Sequence, residues 1–86
     1  MASIQEVATA AARIAQSAAS AEAKTMACAD ALKTQASQLA ATIHGSRSGE
    51  DAVRQVNQAE RALRDSAAQL LKLQSEIDRF IQDLTK

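Results

Sequence analysis

Proline, tryptophan and tyrosine are absent from this 86-residue chain, and Phe80 is its only aromatic residue. Without proline, nothing interrupts a long helix from within. With one aromatic and few β-branched residues, there is little to build a sheet from. Glycine occurs only at Gly45 and Gly49, both inside the stretch ATIHGSRSGEDA at 41–52. A single cysteine, Cys28, excludes a disulfide within the chain. Neither charge sign is in excess, since ten Lys and Arg face ten Asp and Glu. No global field therefore draws in nucleic acid, an anionic membrane surface or a charged substrate. No apolar run approaches the roughly 20 residues of a membrane span. The start, MASIQEV, has neither the basic lead nor the unbroken apolar core of a cleavable signal. The expectation is synthesis in the cytosol, with any export following a route that reads no such signal.

What is present is helix-forming. About a quarter of the residues are Ala, and Leu, Gln, Glu, Lys and Arg supply much of the rest. The pattern predicts one small all-α domain: an antiparallel two-helix hairpin with helix 1 at about 4–44, a bend at about 45–48 and helix 2 at about 49–84. Ser3 followed by Glu6 reads as a capping box. From there Ile4, Ala11, Ala18, Thr25, Leu32 and Leu39 fall seven apart, with Val7, Ile14, Ala21, Cys28, Gln35 and Thr42 between them. Gly45 stands where a helix end takes a left-handed residue. Ser48, three before Asp51, is the expected cap of the second helix. In that helix Val56, Leu63, Leu70, Ile77 and Leu84 form one row and Ala59, Ser66, Leu73 and Phe80 the next.

Two such helices share a thin seam of mostly small side chains, so more apolar surface needs cover than they give each other. Between Val7 and Ala21 the only charge is Arg13, and alanines go all the way round. A helix facing water on one side normally keeps a polar face. In the second helix Val53, Ala67, Leu71 and Ile81 widen the apolar stripe. The expectation is a second hairpin laid against the first, identical or different, making a four-helix bundle. Pairs four apart, Glu50 with Arg54, Glu60 with Arg64, Arg61 with Asp65, Lys72 with Glu76 and Arg79 with Asp83, mark the solvated face.

Chemistry finds little footing. His44 is the only histidine; it has Ser46 and Ser48 nearby but no carboxylate placed to orient it, so no triad is predicted. Cys28 and His44 are roughly 24 Å apart by helical rise, too far to share one ion. No catalytic residue, metal site, cofactor or small-molecule substrate is expected. Alternating charge signs without interleaved aromatics argue against nucleic acid, and the polar face lacks the Lys and Arg of a membrane-surface helix. Cys28 is expected to be a small buried hydrophobe. Met26 lies off the seam. Ser66 and Gln35 either fix register or weaken the packing.

The stretch QLAATIHGSRSGEDAV at the bend resembles the centre of the WXG small proteins of type VII secretion systems. The resemblance implies a helical hairpin that pairs into a four-helix bundle. It places Ile43, His44 and Gly45 at the turn, with Ile43 in place of the usual tryptophan and Gly45 matching. Without the tryptophan the chain is closer to the WXG-like helpers that accompany larger effectors such as LXG toxins, pairing with the effector's N-terminal helical region. The family's export signal, an aromatic residue with an acid four places on, has only a variant counterpart here, Phe80 with Asp83. On this reading Ile4, Val7, Ala11, Ile14, Ala18, Leu32, Leu39, Val56, Leu63, Leu70, Leu73, Ile77 and Phe80 form the seam and partner interface. The alternative is a homodimeric coiled-coil structural protein unconnected with secretion. In either case Leu70→Asp or Ile77→Asp is expected to abolish assembly, since a buried unpaired carboxylate costs several kcal/mol. Circular dichroism and mass by light scattering check this, and unchanged values for both variants would rule the seam out.

Overall fold

The structure, a computed structural model, describes residues 1–43 and 45–86; the expected turn residue His44 lies outside the described residues. Two helices, α1 (Ile4–Thr42) and α2 (Arg47–Leu84), account for the fold. They lie antiparallel, side by side, in a body of 63 × 19 × 14 Å. No helix among the described residues is long and apolar enough to cross a membrane.

Both helix starts are capped by serine. Ser3 Oγ accepts from the Glu6 amide at 3.1 Å, and the Glu6 carboxylate accepts from the Ser3 hydroxyl at 3.4 Å. The glutamate thus answers the serine side chain rather than its backbone amide. At α2 the cap is Ser46, whose Oγ accepts from the Gly49 amide at 3.2 Å. The cap is therefore not Ser48, and helix 2 begins two residues earlier than the expected 49. Helix 1 also ends earlier, at Thr42, and the Ile43 amide closes it on the Leu39 carbonyl at 3.0 Å. Gly45 has φ 81°, a conformation that glycine adopts without steric cost.

The early start has a packing reason. It brings Gly49 into the first turn of α2, against Ile43. A Cβ at Gly49 would overlap Ile43 Cδ1 and lie 2.9 Å from Ile43 Cβ. The two glycines of the chain thus serve different needs: Gly45 turns the backbone, and Gly49 leaves room for a side chain across the turn.

Along the seam α1 places Ala8, Ala11, Ala15, Ala18, Glu22, Thr25, Ala29, Leu32, Ala36 and Leu39, then Ile43 just beyond its end, with Val7 and Met26 half-buried beside it. α2 places Gly49, Val53, Val56, Glu60, Leu63, Ala67, Leu70, Gln74, Ile77, Ile81 and Leu84, with Asn57 and Arg64 half-buried beside it. Steps of three and four alternate throughout, the mean spacing of 3.5 that keeps two supercoiling helices in contact. Within this seam only Ala11, Ala18, Ala29, Ala36 and Ala67 are buried, and no larger side chain among the described residues is. Four of these five alanines lie on α1, and their small size lets the helix axes come close, since interaxial distance follows the size of the residues at the contact.

Two expected rows are therefore displaced. Beside the row from Ile4 to Leu39, the hairpin takes the residues four on, Ala8 to Ile43, instead of those three on. Ile14, Ala21, Cys28, Gln35 and Thr42 are exposed, and Val7 is half-buried at the edge. In α2 the same choice leaves Ala59, Ser66, Leu73 and Phe80 exposed. Cys28 is not a buried hydrophobe within this chain. In α1 the row that the seam selects is mostly alanine, whereas in α2 it is Val53, Glu60, Ala67, Gln74 and Ile81, and Ala52, Ala59 and Ser66 are among those left out.

Gly49→Ala provides a test of the turn. Ala for Gly inside a helix ordinarily stabilises by up to about 1 kcal/mol. Here the overlap with Ile43 is expected to reverse the sign, destabilising by roughly 1–3 kcal/mol. Thermal melts followed by circular dichroism decide it, and Ile43→Ala in the same chain is expected to restore part of the loss.

Candidate interaction surface

On each helix the shared row of the seam is flanked by the residues three on and four on, which lie on opposite sides of it. Because both helices use their four-on rows for each other, both three-on rows turn outward. Antiparallel pairing places these two outward rows on the same side of the hairpin. The opposite side supplies a check. Arg64, one residue beyond Leu63, and Asp30, five beyond Thr25, lie on that other flank of their helices, and they meet at 3.0 Å. A groove of about 540 Å³ at the open end, lined by Ile4, Gln5, Ala8, Thr9, Ala12 and Thr85, belongs to that side too.

The two sides differ in chemistry. The outward rows, Val7, Ile14, Ala21, Cys28, Gln35 and Thr42 with Ala52, Ala59, Ser66, Leu73 and Phe80, contain no charged residue. Ile14 is 54%, Phe80 46% and Leu73 42% exposed. Scattered exposed apolar residues are ordinary on a protein surface; a contiguous, uncharged set is a contact surface in waiting. The corresponding rows on the other side include Lys33, Glu50, Arg64 and Asp78.

The expected partner-interface residues thus divide. Ala11 and Ala18 are buried in the seam, and Leu32, Leu39, Val56, Leu63, Leu70 and Ile77 are half-buried along it. Ile14, Leu73 and Phe80 lie outside it, on the uncharged side, with Val7 at the edge. Ile4 begins α1 and is 61% exposed. At the turn, Ile43 is half-buried against Gly49 and Gly45 is exposed.

Among the described residues, Arg64 is the polar link between the helices. It bonds Glu60 on its own helix and Asp30 across the seam. These two carboxylates, Glu60 first, hold its guanidinium above the usual arginine range. Glu60 occupies a seam position, and its side chain is only 13% exposed. Glu22, Glu60 and Gln74 were not expected in the seam; only the four-on spacing, followed past their polarity, would have found them. Of the other expected pairs, the structure forms neighbours three apart instead: Arg54 with Asp51 at 2.9 Å and Arg79 with Glu76 at 3.8 Å. Asp83 pairs with Lys86 at 3.4 Å. Exposed pairs of this kind add little to stability.

The chain matches no protein-family model, no curated protein and no solved structure.

The Arg64 cluster makes an unequal prediction. Asp30→Asn removes a partner that is largely exposed and is expected to cost under about 1 kcal/mol. Arg64→Gln also strands the half-buried Glu60, so a larger loss than that of Asp30→Asn is expected. Adding Glu60→Gln is expected to recover part of it. Urea denaturation of the three variants measures the order; equal losses for Asp30→Asn and Arg64→Gln would remove Glu60 from the account.

Proposed function

We propose that this chain is a non-enzymatic helical adaptor, which acts by laying its uncharged side against other α-helical protein to complete a four-helix bundle. One observation carries the reading. Among the described residues the hairpin buries nothing larger than alanine, and it leaves Ile14, Leu73 and Phe80 exposed in outward rows without charge. Two helices of about 40 residues expose more apolar surface than an alanine seam removes, and burial of that surface is the dominant driving force available.

The pathway assigned to this adaptor is type VII secretion, with the partner a second hairpin or the helical N-terminal region of an effector. Support comes from the hairpin layout, the glycine turn near the middle of the chain and the resemblance of the bend. The complex would be made in the cytosol and leave without a cleavable signal. Phe80 with Asp83 serves as a variant export signal in this scheme. Phe80 also lies on the uncharged side, so a partner that covers the open end would cover the aromatic half of that signal. A signal supplied by the partner is then the simpler arrangement. The second reading, a self-associating structural hairpin, is favoured by the same absence of charge.

Co-expression with the products of neighbouring genes, followed by size-exclusion chromatography with light scattering, tests the adaptor reading. A heteromer is expected, and Leu73→Asp and Phe80→Asp are each expected to weaken it by at least tenfold. Both side chains stand outside the seam, so helicity in the isolated chain is expected to persist. A heteromer that tolerates both substitutions would remove the uncharged side from the interface. A chain that takes up no helical partner would remove the adaptor function.

A further inference from the structure

We infer that this hairpin has a second packing, reached by rolling both helices about their own axes, in which the two uncharged rows face each other and shut the uncharged side from within. The roll is a property of the isolated chain. It rests on the adaptor reading only in making that side the one a partner uses, and it then decides when the side is open.

The turn required is small. On each helix the three-on and four-on rows are consecutive residues, about 100° apart round the axis, with the shared row between them. Exchanging one flank for the other takes about half that angle. A straight helix drifts by ~20° per heptad against a seven-residue repeat, so two to three heptads absorb the turn. The shared rows, Ile4 to Leu39 and Val56 to Leu84, stay in the seam throughout. Because both uncharged rows lie on one side, the helices counter-rotate like meshed gears.

The two packings divide the side chains differently. The alanine packing holds Glu22, Glu60 and Gln74 half-buried and leaves Ile14, Leu73 and Phe80 exposed. The rolled packing turns both carboxylates toward water, where charge is better solvated, and takes no charged residue in their place. By the level that Asp30 and Arg64 set, it brings Ile14 to Phe80, Ala21 to Leu73 and Cys28 to Ser66. Glu60 and Arg64 share a helix, so their pair travels outward intact. The contact of Arg64 with Asp30 crosses between helices, but Asp30 is largely exposed and its loss costs little.

Two features favour the alanine packing. Ala29 and Ala67 are 0% and 1% exposed in it, and Ile43 sits over Gly49. The second of these anchors the bend, whereas the large uncharged-row residues lie toward the open end. The roll therefore grows from the bend outward, between two discrete fits of the same helices. A partner that binds the open side selects the alanine packing, with its affinity lowered in proportion to the fraction of chains that are shut.

Adjacent residues report the two packings. Ser66→Cys, with native Cys28 retained, puts two cysteines in the uncharged rows. Ala29→Cys with Ala67→Cys, in a Cys28→Ser chain, puts them in the four-on rows. A disulfide needs Cα atoms within about 7 Å and Cβ atoms that point together, which each pair achieves in one packing only. Circular dichroism of the reduced chains first checks that both remain helical. Slow oxidation at high dilution is then expected to close both pairs within single chains, read by mass, since helix shifts are fast against oxidation. The oxidised Ser66→Cys chain is expected to bind severalfold less anilinonaphthalene sulfonate than the same chain reduced, because its large apolar residues are shut in.

A Ser66→Cys chain that stays reduced, or bonds only between chains, while the Ala29→Cys, Ala67→Cys chain closes would overturn the second packing. Failure of both pairs to close would overturn it too, by removing the level on which it stands. Equal dye binding by oxidised and reduced Ser66→Cys chains would overturn the shutting of the side. None of these outcomes bears on whether a helical partner exists, which co-expression decides separately.

Discussion

Close contact of the alanine-lined face of α1 with α2 is the constraint from which the other features of this molecule follow. Ala11, Ala18, Ala29, Ala36 and Ala67 fill the buried part of the seam. Methyl groups let two backbones approach, yet they remove little apolar surface per residue compared with leucine or phenylalanine. A seam built this way is narrow. It holds the hairpin in shape while leaving the larger residues, Ile14, Leu73 and Phe80 among them, to be covered from outside. The architecture is economical in contact and unfinished in burial.

The polar groups give this hairpin two unlike sides. Arg64 spans from Glu60 to Asp30 on one side and ties the helices together there. The other side has no charged residue in its inner rows, so nothing in them demands a counter-ion. At the turn, Ile43 folds over Gly49 and closes the end of the seam without a bulky aromatic. What results is a surface that recognises by shape and burial. No step of the proposed activity needs a reactive side chain, and the specificity of such a surface lies in the order of large and small residues along it.

Much of the fold was legible from local chemistry. Helix-forming residues, a capping serine before each helix and glycine at 45 are short-range signals that act within one or two turns, and the structure has two helices meeting at a bend there. The rows from Ile4 to Leu39 and from Val56 to Leu84 also lie along the seam, because a seven-residue repeat places them on one stripe whatever they pack against. The cap of α2 was harder. Ser46 and Ser48 both offer an oxygen to an amide three residues on, and local geometry cannot choose between them. The fit of Ile43 over Gly49, a contact across the turn, goes with Ser46.

The candidate surface was legible as a set of residues but not as a surface. A repeat in the sequence marks a stripe and its two flanks; it does not say which flank faces the neighbouring helix. Reading the flank three residues on as the seam put Ile14, Cys28, Leu73 and Phe80 inside. The structure selects the other flank, alanine-rich in α1, where such rows approach closely, and made of Val53, Glu60, Ala67, Gln74 and Ile81 in α2, so that Glu22, Glu60 and Gln74 lie in the seam. The sequence by itself determined that the chain is helical, where it bends and which residues seek cover, because these rest on backbone propensity and hydrophobic spacing. Only the packing of one helix on the other decided which of those residues were covered at home and which were left for a partner, because two flanks equally spaced in sequence become unequal only when two surfaces must fit.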